Sequence, residues 1–145
     1  MAARSPQRLA ACLAAVCALA GCGADAGPID VDRGLIRDSI NAYCKASVGW
    51  EREHDATRKA DMAGAQGRLV RVHADPDGRR YVQELLTQKR AAAASLAGEL
   101  AVLERTELDR RPAHDAAELN RLVRQRYDCE LTVAALDRLS AALAQ

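Results

Sequence analysis

The chain predicts an all-α fold: an up-down bundle of three helices, with four as the alternative, over residues 31–145, with one disulfide, and with residues 63–75 open between helix and connector. Three observations predict it. Apolar residues recur at steps of three and four along three long segments, the period of a helix with one buried face. Turn signals, Ala74-Asp75-Pro76-Asp77-Gly78 and then Pro112, separate those segments. The aromatic residues are only Tyr43, Trp50, Tyr81 and Tyr127, so the core must be built from Leu, Val, Ile and Ala.

The first helix carries Ile36, Ile40, Tyr43, Cys44, Ser47 and Val48 at helical spacing, with Asp30 or Asp32 available to cap its start. It is expected to continue through Trp50 towards Met62. Gly64 and Gly67 weaken a helix, and Arg68 to His73 read equally as a last helical stretch or as an extended connector. Asp75 is a good N-cap, Pro76 suits the first helical position, and Asp77 complements the helix dipole. The second helix therefore starts here, buries Val82, Leu85, Leu86, Ala93, Leu96, Leu100 and Leu103, and ends near Leu108. After Pro112 a heptad follows, namely Leu119, Leu122, Arg126, Cys129, Val133, Leu136, Ser140 and Leu143. In an up-down-up arrangement this last helix runs parallel to the first.

Ahead of the bundle lie Arg4 and Arg8, an apolar run from Leu9 to Ala20, and small residues leading to Cys22, which are the parts of an export signal. Twelve apolar residues are too few for a membrane span, which needs about 20. Leu19-Ala20-Gly21-Cys22 is a lipobox, and with it the amino terminus resembles a bacterial lipoprotein precursor. The resemblance implies a signal peptide over residues 1–21, cleavage before Cys22, diacylation of the Cys22 sulfur, and a membrane held by that lipid. Residues 22–30 then read as a short tether. Gly23 in place of Asp after the cysteine implies the outer membrane if the source is Gram-negative.

Loss of the leader removes Cys12 and Cys17, and lipid occupies Cys22, which leaves Cys44 and Cys129. An even pair in an exported domain reads as a disulfide. Both cysteines fall on apolar stripes, and in parallel helices they would lie within about two turns of the same height. Closing a loop of this length contributes roughly 4 to 5 kcal/mol in the chain-entropy model. A thiol nucleophile or a metal ligand is the alternative, but there is no Cys-x-x-Cys spacing.

Removing residues 1–21 takes away two arginines and no acid, which turns the formal charge from +1 into about −1. That balance and the scarcity of aromatics exclude a nucleic-acid partner, which needs a basic face and stacking platforms. Glu51-Arg52-Glu53-His54 holds one Glu-x-x-His pair, and His114 with Glu118 could form a second face pair. Di-iron bundles need two such pairs and two further glutamates, so a solvated face explains these residues better. Asp75 and Asp77 beside Gly78 lack the ligand series of a calcium loop. No Gly-rich phosphate loop or Gly-x-Ser-x-Gly elbow is present, and Ser39, Ser47, Ser95 and Ser140 fall in helical pattern.

The chain is thus expected to be a non-catalytic envelope lipoprotein without a cofactor, using a helical surface to bind another envelope protein. In general shape it is similar to the pilotins of type II secretion, small all-α lipoproteins in which a disulfide ties an early helix to the last and a groove holds a helix of the secretin. The other expectation is a bundle binding a small ligand or metal through Glu51, His54 and His114. Leu69, Val70 and Val72 are the candidate surplus apolar residues, with capping of the core as their simpler role.

Overall fold

A computed structural model describes residues 32–145. Cys22, the leader and the tether lie outside the described residues. Four helices follow in order: α1 (Arg33–Glu53), α2 (Ala56–His73), α3 (Pro76–Leu108) and α4 (Ala116–Leu143). Each begins at an aspartate whose carboxylate accepts backbone N–H groups of the first turn. Asp32 takes Leu35, Asp55 takes Thr57, Asp75 takes Gly78, and Asp115 takes Ala117 and Glu118. An N-cap of this kind satisfies donors that have no partner inside the helix.

The fourth helix corrects the reading of the first segment. His54 adopts a left-handed backbone (φ 51°), its N–H closing on the Trp50 carbonyl, and so ends α1. Asp55 then caps a new helix, and Thr57 Oγ1 adds a 2.7 Å hydrogen bond to the same carboxylate. Gly64 and Gly67 cost α2 about 1 kcal/mol each relative to Ala but do not break it, because Ala65 and Leu69 are fully buried. Residues 63–73 are therefore helical. The turn into α3 is tight: Gly78 is buried, and a methyl group there would collide with the Val72 carbonyl oxygen.

The added reversal at His54–Asp55 also changes the direction of the last helix. Ser47 meets Arg138 while Arg52, further along α1, meets Asp128, earlier in α4. The first and last helices are therefore antiparallel, not parallel. Arg90 with Asp137 and Glu104 with Arg126 set α3 and α4 antiparallel in the same way. The architecture is an up-down-up-down bundle.

Its main core draws on all four helices: Ile36, Ile40 and Tyr43; Ala65 and Leu69; Val82, Leu85 and Leu86; Ala135, Leu136, Leu139 and Leu143. A second, smaller cluster holds Leu100, Leu122 and Cys129, with Leu96 and Ala97 against it, and comes from α3 and α4 alone. The division follows from helix length. Arg52, at the end of α1, reaches only to Asp128, which leaves the first twelve residues of α4, about 18 Å, running on beside α3 without α1. Here α3 and α4 form a two-helix prong.

Among the described residues no disulfide is found. Cys44 packs against the main core and Cys129 is buried in the smaller cluster. Because α1 and α4 are antiparallel, the two cysteines lose the equal height expected of parallel helices, although each sits near the middle of its helix.

Candidate interaction surface

Large apolar side chains that remain in water concentrate on the prong. Val102 and Leu103 on α3, and Val123 and Tyr127 on α4, are 64%, 40%, 37% and 51% exposed. Leu103 follows the helical spacing of Leu96, Leu100 and Glu107, and would be core if a neighbouring helix reached it. Val123 and Tyr127 lie one turn apart on α4 and so share a face. Leu35 and Val70 are the other exposed large apolar residues among those described.

Ionic contacts hold the prong together. Arg126 Nε donates to Glu104 Oε2 at 2.6 Å across the two helices, and its Nη1 donates to Glu130 at 2.7 Å. These carboxylates raise the Arg126 pKa further above its already high ordinary value. Glu107 is buried, accepts the Asp115 N–H at 2.8 Å and pairs with Arg110 at 3.1 Å, which fixes the entry into α4. Arg121 holds the Glu118 carboxyl below the usual carboxylate range. A shallow groove of about 410 Å³ lies where α1 stops, with Arg52, Arg121, Arg124 and Asp128 among its lining.

The other sequence-based candidates do not converge. His54 leaves the helix that carries Glu51, so the i,i+3 face they would share is broken, and His54 packs beside the Trp50 ring with centroids 5.1 Å apart. Glu51 lies 3.8 Å from Arg138. His114 is exposed ahead of α4 and so is off the helix of Glu118, which pairs with Arg121. Among the described residues no group of three or more His, Cys, Asp and Glu is placed to hold a metal. Asp75 is the cap of α3, and Asp77 pairs with Arg80.

Of the three surplus candidates, Leu69 is core, Val72 is half-buried against the core, and only Val70 is exposed. The prong residues were missed for a definite reason. Leu103 satisfies the periodicity of a buried position, and only the shortness of α1 and α2 uncovers it. Val123 and Tyr127 stand off the heptad, where an isolated apolar residue carries no signal.

No family model matches the chain, and neither a curated protein nor a solved structure is significantly similar to it.

Proposed function

We propose that the protein is a lipid-anchored module of the bacterial cell envelope that binds another envelope protein through its α3–α4 prong and catalyses no reaction. The exposure of Val102, Leu103, Val123 and Tyr127 on one two-helix extension carries the reading. Monomeric proteins rarely leave apolar residues grouped without a use, and an amphipathic helical face suits helix-in-groove or helix-on-helix recognition. The lipobox supports anchoring by diacylated Cys22, in the outer membrane if the source is Gram-negative. Among the described residues no helix is long and apolar enough to cross a membrane. A Cys44–Cys129 disulfide in an oxidising compartment would require α1 to slide along α4, because the two cysteines pack in separate clusters, and non-reducing peptide mapping that recovers them in one fragment would show it.

The experiment is photo-cross-linking in the native cells from position 127, with position 70 as control. A discrete adduct from position 127 and none from position 70 supports the prong. Equal labelling from both would remove it. Cys22→Ala should abolish lipid labelling and processing of the leader.

A further inference from the structure

A second groove, of about 300 Å³, lies between α1 and α2, with Lys45, Arg58 and Arg68 on its walls and one carboxylate, Asp61, among them. Among the described residues none of the three cations forms an ion pair. By contrast Arg52, Arg90, Arg110, Arg121, Arg126 and Arg138 each lie against a carboxylate.

Two of the three cations are held in place. Arg68 Nε donates to the buried Ser39 hydroxyl at 3.1 Å. Arg58 lies flat across α1 at Gly49, where a methyl group would meet its Nε at 3.0 Å and its Cδ and Cζ at 3.3 Å. Its Nε is buried without a hydrogen-bond partner. A buried N–H that has lost water and gained no acceptor is costly, so packing, not bonding, sets this side chain against the groove. Ala42, Ala46, Ala60 and Gly64 complete the lining, and their small side chains leave room between the cations. Asp55 is the other nearby carboxylate, and its oxygens are engaged by Thr57.

We propose that Lys45, Arg58 and Arg68 form a binding site for a phosphate-type oxyanion. Guanidinium groups match phosphate oxygens with paired, charge-assisted hydrogen bonds, and a lysine adds a point charge. The shared chemistry is a phosphate group, carried either by a lipid headgroup or by a soluble phosphate ester. This site is separate from the prong, and its failure would leave the protein-binding reading untouched.

Titration calorimetry on the full chain in detergent micelles tests it, with inorganic phosphate, glycerol 3-phosphate and the headgroup diester glycerophosphoglycerol as probes. Saturable binding of inorganic phosphate is expected. Arg58→Gln and Arg68→Gln should each weaken it at least about tenfold, the loss of one charge-assisted hydrogen bond. Arg124→Gln, in the other groove, should leave it unchanged. Gly49→Ala retains every charge and favours the helix, yet it displaces the Arg58 guanidinium and should weaken binding as well. That variant carries the test if Arg58→Gln fails to fold. Binding of the diester assigns the site to a lipid headgroup, and binding limited to inorganic phosphate and the monoester assigns it to a soluble ester. Absence of saturable binding by all three probes, or an affinity that Gly49→Ala leaves unchanged, overturns the proposal.

Discussion

Leu69 and Val70 are neighbours in α2 with opposite surroundings, one without solvent contact and the other half exposed. The first anchors α2 in the four-helix core, so Leu69→Ala should destabilise the protein by about 2 to 5 kcal/mol, the cost of a cavity in a packed interior. Val70→Ser should change stability by no more than about 0.5 kcal/mol. Urea unfolding followed by circular dichroism measures both. Similar losses at the two positions would mean that α2 is not seated as described. The same contrast explains what the bare sequence conveyed here. Residues 68–73 carry three apolar side chains, but Gly64 and Gly67 just ahead obscure the helical period that would have shown which of them point inward.

At the scale of the helices, α3 was legible from Asp75 to Leu108 because the local signals agreed: an aspartate cap, proline at the first position, and an apolar stripe interrupted only at Lys89, which is buried in line with it. The boundary between α1 and α2 was not. It rests on a left-handed histidine, a conformation without a strong sequence mark, followed by an Asp-x-Thr cap that a long helical pattern overshadowed. The stripe of α4 was read correctly where it faces α3, at Leu122 and Cys129. It failed at Ser140, which is exposed, while Ala135 and Leu139 are buried. That half of α4 packs against α1 as well as α3, and a second neighbour turns the buried face towards the new contact. The prong gives the element-scale prediction. Val123→Ser with Tyr127→Ser removes two side chains that lie largely outside the core, so the unfolding midpoint should stay within about 0.5 kcal/mol of its starting stability while the cross-linked partner is lost. A large fall in stability with the partner retained would show these residues to be structural.

For the molecule as a whole, the shifted carboxylates and the one shifted histidine among the described residues all move downward, while the shifted arginines move up. Burial lowers the His73 pKa below its ordinary 6.5. Hydrogen bonds from Thr57 hold Asp55, and those from Arg121 and Arg90 hold Glu118 and Asp137, below their ordinary 3.8, 4.5 and 3.8. A group whose pKa is depressed by folding contributes stability above its unfolded value and loses it as pH falls through the folded one. The urea midpoint should therefore be flat above neutrality, begin to fall below about pH 6.5 as His73 is forced to protonate, and fall further below about pH 4 as the carboxylates do. His73→Gln should remove the first decline only. A midpoint that rises on acidification would contradict these environments.

The unequal lengths of the helices have a mechanical consequence. Arg33, at the start of α1, packs over the Tyr81 ring near the start of α3, so the chain enters the bundle at the end opposite the α3–α4 tip. α3 alone is about 50 Å long, from 33 residues at 1.5 Å each. If Cys22 carries the lipid anchor proposed above, the bundle would serve as a spacer whose reach is set by the length of α3 and α4. Removing one heptad from the distal part of each should shorten that reach by about 10 Å without touching the four-helix core. Cross-linking yield to a partner fixed in the envelope would then fall even if every contact residue were kept. An unchanged yield would show that the partner moves to the prong.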